Sequence, residues 1–337
     1  MIEGAQEYFQ VLQKENSLEN IEKKTEEYEP HFLKFYRTKG IQFHVEGEEQ
    51  IRLYAVKFVN PLAKAKILLS TGYNESQLKY AELIKNYYDA GYSVYGYDHR
   101  GQGYSQRLPF QNAKGHMDNF DYLLRDMARV FHVVLKDDNQ NLPIFSIAHS
   151  MGGAVTTACV IQKLIHPKAV VLSAPMYQIY GFQTKLLESA ASLLSKSMCF
   201  FHFDHSYVFG QKDCVAFIPF ENNDLTNSKF RFQIWRKLIS QIDQMRLGGV
   251  TYGWVKEASR IMPFIRENAK SFHVPLLLLK ADADTVVNPE AIVHFAKEAP
   301  KASVFEFPGA KHELFMEIDF VRDQVLNKSL HFMNSIL

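Results

Sequence analysis

A serine stands between a short apolar strand and a helix-compatible run in the middle of the chain. Residues 144–147 precede Ser150 with the composition of a buried strand, and residues 154–160 follow it with that of a helix. A sharp strand-to-helix turn that exposes a serine requires small residues two positions before and two positions after it. Ala148 and Gly152 occupy those positions. The pattern is weak by itself, but the flanking elements favour a nucleophilic Ser150 over a serine that only caps a helix.

Short apolar runs alternate with helical patterns along most of the chain. Predicted strands cover residues 66–70, 92–97, 143–148, 169–173, 274–279 and 303–307, and predicted helices lie around 80–90 and 119–136. Such alternation indicates βαβ units and a buried parallel sheet. Two earlier β-like runs, near 33–37 and 51–59, predict an antiparallel hairpin that follows a charged arm at the N-terminus. The sequence therefore predicts an α/β fold, with a mostly parallel central sheet flanked by helices.

Residues 176–268 break this alternation. The segment is rich in aromatic residues, and a structureless loop of that length is not credible in a compact domain. We interpret it as an inserted, mainly helical cap between a first core segment, residues 1–175, and a second, residues 269–337. Its aromatic residues fit either a lipid-binding groove or the cap's own core, so they do not identify a ligand.

Charge and cysteine content exclude several function classes. Lys and Arg total 38 against 37 Asp and Glu, so no global field favours nucleic acid. The three cysteines form no Cys-x-x-Cys pair, and neither a disulfide framework nor a zinc site is supported. The acidic start is unlike a secretory signal, and no stretch approaches the roughly 20 apolar residues of a membrane span. We expect a cytoplasmic protein without metal, cofactor or nucleic-acid partner, and leave peripheral attachment to the inner face of the membrane open.

A carboxylate and a histidine follow the serine in the order that a strand–turn–helix nucleophile requires. The acid is expected just after a late strand and the base after the last one. Asp282 and Asp284 both follow the apolar run 274–279. We favour Asp284, which lies further into the loop, and predict His312 as the base, because it lies in a loop beyond the last predicted strand. His312 would deprotonate Ser150, and Asp284 would hold the tautomer of the imidazole.

Two backbone amides are candidates for an oxyanion hole. One belongs to Met151, directly after the nucleophile, and the other to Tyr73 in the loop after the predicted strand 66–70. Gly72 permits the tight course that this loop needs. The glycine-containing run 98–105 fits neither nucleotide-binding fingerprint, and we interpret it as a structural turn that packs the loops together.

With these residues identified, the chain closely resembles the lysophospholipase and monoacylglycerol lipase group of α/β-hydrolases, and the bacterial lysophospholipases most of all. The strings that carry the resemblance are residues 72–76, 79–83, 98–105, 115–120, 149–153, 224–228, 247–254 and 310–313. The resemblance spans roughly residue 65 to the C-terminus and implies the α/β-hydrolase fold. Two departures stand out: Thr71 replaces a histidine that many relatives carry, and Ala148 replaces the first glycine of the serine turn. Neither removes a catalytic atom.

The resemblance implies a serine esterase acting on a small lipid substrate, the carboxylic ester of a single-acyl-chain lipid. Lysophospholipid is the first candidate and monoacylglycerol the second. A thioesterase, an aminopeptidase or a lipid transacylase would use the same three residues, so these alternatives stay open. A non-catalytic, hydrolase-like binding protein is a further alternative, against which the complete set of serine, acid and histidine argues.

Overall fold

Eight strands form a single sheet within the part of the chain that the computed structural model describes, namely residues 2–108, 111, 113–137 and 141–337, with side chains described from residue 7 onward. The strands are β1 (Ile41–Glu46), β2 (Arg52–Phe58), β3 (Ala65–Ser70), β4 (Tyr92–Tyr97), β5 (Ile144–His149), β6 (Ala169–Ser173), β7 (Leu276–Ala281) and β8 (Ala302–Phe307). Their order in the sheet is β1-β2-β4-β3-β5-β6-β7-β8. β2 pairs antiparallel with both of its neighbours, β1 and β4. All other pairs of neighbouring strands in the sheet are parallel. The α/β-hydrolase fold predicted from the sequence is thus confirmed.

Helices cover both faces of the sheet. They are α1 (Ile2–Glu15), α2 (Leu18–Tyr28), α3 (Lys34–Lys39), α4 (Ala81–Asp89), α5 (Phe120–Lys136), α6 (Ser150–Ile161), α7 (Lys185–Phe200), α8 (Lys229–Gln241), α9 (Tyr252–Glu267), α10 (Pro289–Glu298) and α11 (Asp319–Asn334). One apolar cluster joins one face of the sheet to α5, α6, α9 and α10, and a second joins the other face to α2, α4, α8 and α11. Because both faces are covered, the central strands are buried along their whole length, which explains their continuous apolar runs.

The prediction of a strand at residues 33–37 was wrong. This stretch is helical: a π-helical turn, Glu29–Leu33, leads directly into α3. Leu33 and Tyr36 are three positions apart and both buried, so they lie on one face of a helix that packs against the second cluster. The antiparallel hairpin does exist, but β1 begins later and pairs with β2 through Ile41 opposite Lys57.

The segment between β6 and β7 contains three helices. The last of them, α9, buries Ala258, Ile261 and Met262 in the same cluster as α5 and α6. The division into 1–175, 176–268 and 269–337 remains a prediction, and the packing of α9 favours an inserted segment that ends before this helix. Among the described residues, no helix combines the length and apolar character needed to cross a bilayer.

Candidate active site

Ser150 lies at the turn between β5 and α6, at the carboxyl end of the parallel strands. Its φ is +51°, a conformation that residues other than glycine rarely adopt. A Cβ on Gly152 would lie 2.4 Å from the carbonyl oxygen of Thr71 and 2.6 Å from that of Ser70. Only glycine therefore allows α6 to start this close to the end of β3. Ala148, inside β5, is fully buried, so the strand accommodates its methyl group.

The three residues predicted as a triad form one hydrogen-bonded chain. His312 Nε2 lies 2.9 Å from Ser150 Oγ, and His312 Nδ1 lies 2.7 Å from Asp284 Oδ2. The other oxygen of Asp284 accepts hydrogen bonds from the amides of Val286 and Val287, at 2.8 and 3.0 Å. All three members are buried. These contacts fix both the carboxylate and the imidazole, as a base acting on Ser150 would require.

The competing acid, Asp282, lies outside this arrangement. Its side chain is exposed, whereas that of Asp284 is buried two positions further along the loop. The loop turns Asp284 towards His312 because its own amides at Val286 and Val287 bind the carboxylate. The geometry thus favours Asp284 as the partner of the histidine.

The two predicted oxyanion amides flank the serine. Among the described residues, neither the Met151 nor the Tyr73 amide donates a hydrogen bond to a protein acceptor. Met151 is buried, and buried amides without an acceptor are rare in folded proteins. The loop that carries Tyr73 approaches the nucleophile closely, since a Cβ on Gly72 would lie 3.1 Å from Ser150 Cβ. Both amides are available to a bound ligand at this position.

A buried charge network lies behind the site and was not predicted from the sequence. Lys79 donates hydrogen bonds to Glu75, at 2.7 Å, and to Glu313, at 2.6 Å. The second oxygen of Glu75 accepts from the Gly72 amide at 2.5 Å and from the Tyr80 hydroxyl at 2.8 Å. Glu75 therefore holds the loop that carries the Tyr73 amide. The one feature of the sequence that could have indicated this network is the four-residue spacing of Glu75 and Lys79. The same spacing is common between exposed residues on helices, so it does not predict a buried pair.

The charge states in this network follow from burial and pairing. Burial works against a charge on Lys79, but Glu313 and Glu75 outweigh it and raise the pKa of the ammonium. Burial also opposes ionisation of Glu75, yet the charge of Lys79 and the hydrogen bonds from Lys79 and the Gly72 amide hold the pKa of that carboxyl below its usual range. Burial lowers the pKa of His149 to about 3, so this imidazole is neutral. It packs against the catalytic candidate His312 with ring centroids 4.7 Å apart.

A cavity of about 780 Å³ opens beside Ser150. Its wall combines apolar side chains, among them Leu225, Phe232 and Trp235, with three cationic ones, Lys79, Arg231 and Arg236. A narrow space of about 20 Å³, enough for about one water molecule, lies behind Tyr73 and Met151, and its lining mixes Leu247 and Trp254 with polar side chains. The mixed apolar and polar lining of the main cavity is typical of small-molecule sites.

The turn at residues 98–105 ties loops together around the serine. The buried carboxylate of Asp98 accepts from the Ser76 hydroxyl and from the amides of Gln77 and Tyr104. A Cβ on Gly103, whose φ is +51°, would lie 2.1 Å from Asp98 Oδ2. Burial raises the pKa of Asp98 to about 6. The space within this turn is filled by the chain's own carboxylate, in keeping with a structural role.

One other cluster brings potential metal ligands together. His116, Asp118 and His205 place ligating atoms within 4.8 Å of one another. The two ring nitrogens of His116 already hydrogen-bond to Thr251 and Asp118, at 2.8 and 2.9 Å. These bonds account for the position of His116 without a metal ion.

Comparison with known proteins agrees with this geometry. The family profile described as "Serine aminopeptidase, S33" matches residues 61–319. A probable lysophospholipase L2 from Haemophilus influenzae is 29% identical over 321 residues, which cover 91% of this chain and 98% of that protein. A lysophospholipase L2 from Escherichia coli is 29% identical over 298 residues, which cover 86% of this chain and 86% of that protein. A monoglyceride lipase from Rattus norvegicus is 25% identical over 272 residues, which cover 79% of this chain and 80% of that protein.

Solved structures show the same fold. A soluble variant of monoglyceride lipase from Saccharomyces cerevisiae superposes with a TM-score of 0.68 at 19% identity, covering 89% of this chain and 97% of that one. A thermostable carboxyl esterase from Bacillus coagulans gives 0.72 at 14% identity, covering 89% and 99%. Sequence and structure agree that the chain belongs to the serine aminopeptidase S33 family, in the lysophospholipase and monoglyceride lipase group of α/β-hydrolases.

Proposed function

We propose that the chain is a serine esterase that cleaves the carboxylic ester of single-acyl-chain lipids, lysophospholipid first and monoacylglycerol second. The observation that carries the proposal is the hydrogen-bonded chain from Ser150 through His312 to Asp284, at the edge of a partly apolar cavity. The relatives that match most of the chain are named lysophospholipases and monoglyceride lipases. A small lipid ester is therefore the substrate class that these features support together.

The geometry supports a two-step acyl transfer. His312 Nε2 accepts the proton of Ser150 Oγ while this oxygen forms a bond to the carbonyl carbon of the ester. The Met151 and Tyr73 amides donate to the carbonyl oxygen as it becomes negative. The bond to the glycerol oxygen then breaks, and His312 delivers the proton to that oxygen. Water attacks the resulting acyl-enzyme by the same route and releases the fatty acid.

The cavity beside Ser150 suggests where the lipid lies. Its wall combines apolar side chains with cationic ones, so an acyl chain can lie against the apolar residues while the glycerol and its head group lie near the charged ones.

We also propose that α7 contacts a membrane surface at the cytoplasmic side. The usual burial pattern of an amphipathic helix is reversed in α7. Glu188 and Ser195 are buried, while its leucines are exposed. The exposed apolar surface, as we call it, consists of Leu186, Leu187, Leu193, Leu194, Phe200 and Phe201, which are 50–79% exposed. Exposed apolar stripes of this kind are typical of helices that lie on lipid. The cysteines, all of them free thiols, support a reducing compartment.

Active-site labelling and substrate comparison test the proposed activity. A fluorophosphonate probe should label the wild-type protein and fail to label Ser150→Ala, which keeps the fold because only one oxygen is lost. Lysophosphatidylcholine should be hydrolysed faster than a short soluble ester, a thioester or a peptide amide offered at the same concentration. Turnover of the soluble ester alone would contradict the lipid assignment, and folded protein that resists the probe would favour a binding protein.

A further inference from the structure

Arg236, on α8, lines the cavity beside Ser150 and has an incomplete set of hydrogen bonds. Its Nε donates to the carbonyl oxygen of Ala216 at 2.9 Å. Its Nη2 is buried and, among the residues that the structure describes, meets no acceptor. A buried guanidinium nitrogen without an acceptor is unusual, because each such donor loses its hydration without compensation. An acceptor from outside the chain would complete this set.

The other two cationic side chains of the cavity wall are compensated. Lys79 lies between two carboxylates. Arg231 pairs with Glu82 and Asp319, each at 2.7 Å. Within the described part of the chain, no carboxylate comes within ion-pair distance of Arg236. Its positive charge is thus the uncompensated one in the wall that also contains Ser150.

Arg236 also lines a second, more open groove on the outer side of α8. This groove of about 740 Å³ contains Phe217, Phe220 and Lys237 among its lining residues. Arg236 therefore lies where the cavity beside the serine and the outer surface meet. A ligand held by Arg236 has room on the side of the serine for a glycerol ester and on the other side for a further substituent.

We propose that Arg236 is a specificity-determining residue that binds the phosphate of the lipid head group, so that the site prefers phosphorylated over neutral single-chain lipids. The proposal rests on the esterase function proposed above. A guanidinium matches the geometry of a phosphodiester, because two parallel N–H groups bind two phosphate oxygens. A monoacylglycerol has only hydroxyl groups at the same position, and it would leave the positive charge unpaired.

The test compares two soluble, short-chain substrates that share one acyl chain, a lysophosphatidylglycerol and a monoacylglycerol. The Arg236→Gln variant should lose about 10- to 100-fold in kcat/KM for the lysophosphatidylglycerol, mostly through KM. Its kcat/KM for the monoacylglycerol should fall far less, because the neutral lipid forms no charge-assisted hydrogen bond with the guanidinium. Arg236→Lys should recover part of the loss, because it restores the charge but not the planar pair of donors. The control is Lys270→Gln, which removes the charge of an 80% exposed lysine that lines neither the cavity nor the groove and should alter neither value.

A binding measurement separates this inference from the proposed activity. In a Ser150→Ala background, calorimetry with lysophosphatidylglycerol, glycerol phosphate and the monoacylglycerol should show a Kd that depends on Arg236 for the lysolipid. Equal losses for both lipids, in turnover or in binding, would assign Arg236 a structural role and overturn the proposal. Arg236-dependent binding of glycerol phosphate without the lysolipid would overturn the lipid assignment. Failure to hydrolyse either lipid would refute the esterase function, while the binding arm would still decide the role of Arg236.

Discussion

Replacement of Lys79 by methionine tests the buried charge network most directly. Methionine keeps the volume of the side chain but removes an ammonium that lies 2.7 Å from a Glu75 oxygen and 2.6 Å from a Glu313 oxygen. Lys79 is 2% exposed, so water cannot replace the ammonium without opening the structure. Two carboxylates would then share a buried space without a counter-charge.

The magnitude follows from this burial. Removing one partner of a buried ion pair costs about 3–5 kcal/mol, because the remaining charge stays desolvated. Folded domains are stable by only about 5–15 kcal/mol, so the Lys79→Met variant should lose about a fifth or more of its free energy of unfolding. With about 2.1 cal/mol/K of unfolding entropy per residue over 337 residues, its Tm should fall by roughly 4–7 °C. Urea denaturation followed by circular dichroism measures the free energy, and calorimetry measures the Tm.

The pH dependence of the loss has a definite sign. Without Lys79, desolvation and mutual repulsion raise the folded-state pKa of Glu75 or Glu313 above its unfolded value. The folded variant then binds a proton that the unfolded chain releases, so its stability relative to wild type falls as pH rises. The difference in the free energy of unfolding should therefore be larger at about pH 8 than at about pH 5.

Two further variants make the result interpretable. Lys79→Met combined with Glu313→Gln should recover part of the loss, because one unpaired charge disappears. Lys85→Met removes a more exposed lysine that pairs with Asp89 at 2.5 Å, and it should cost less than about 1 kcal/mol. If Lys79→Met is no more costly than Lys85→Met, or if its cost does not diminish at low pH, the network does not carry the energy that we assign to it.

Three other expectations test separate parts of the structure. Asp284→Asn should lower kcat by about 10⁴-fold, with a Tm near that of wild type, because the amide oxygen still accepts from the loop; a small effect in an esterase assay would contradict its role. Gly152→Ala should destabilise the protein by about 1–3 kcal/mol, since the new methyl group meets the Thr71 carbonyl at 2.4 Å; denaturation measures this, and wild-type stability would refute the tight turn. Leu193→Ser, on α7, should weaken binding to anionic vesicles in a sedimentation assay about tenfold. Leu62→Ser alters an 87% exposed leucine in a loop outside α7 and should not weaken it; equal effects of the two variants would exclude α7 as the membrane contact.

The strands were predictable where they are buried on both faces. A short, continuous apolar run such as β6 is typical of a strand in a parallel sheet that is covered on both faces. The predicted strand 169–173 has the same bounds as β6 in the structure. The strand prediction for residues 33–37 was wrong because their composition is typical of a strand, whereas their buried positions have the spacing of a helix. The segment is helical because a helix places both Leu33 and Tyr36 in the core. That outcome depends on partners far along the chain.

The sequence indicated the three residues that the structure brings together at the proposed site, but not the residues that position them. A serine in a tight turn, an acid and a histidine have local signals and a fixed order along the chain. The Lys79–Glu313 contact joins residues 234 positions apart, and nothing around either residue indicates the other. Arg236 was equally hidden in the sequence. It matters because no carboxylate of the described residues lies within ion-pair distance of it, and a sequence cannot show which charges remain uncompensated after folding.

The buried network connects positioning with charge. Glu75 and Glu313 share the single positive charge of Lys79, and the neutral His149 adds none. Burial and the neighbouring Glu75 raise the pKa of Glu313, whereas Lys79 holds the pKa of Glu75 low, so Glu75 is the carboxylate that pairs with the ammonium. Glu313 directly follows His312 in the chain, and the two interact electrostatically. The ionised Glu75 accepts from the Gly72 amide and so holds the loop that carries the Tyr73 amide. Lys79 keeps that carboxylate ionised although it is buried, and its second bond to Glu313 links the loop to the residue after His312. An apolar cluster would be easier to bury, but it could not hold an amide in a fixed position.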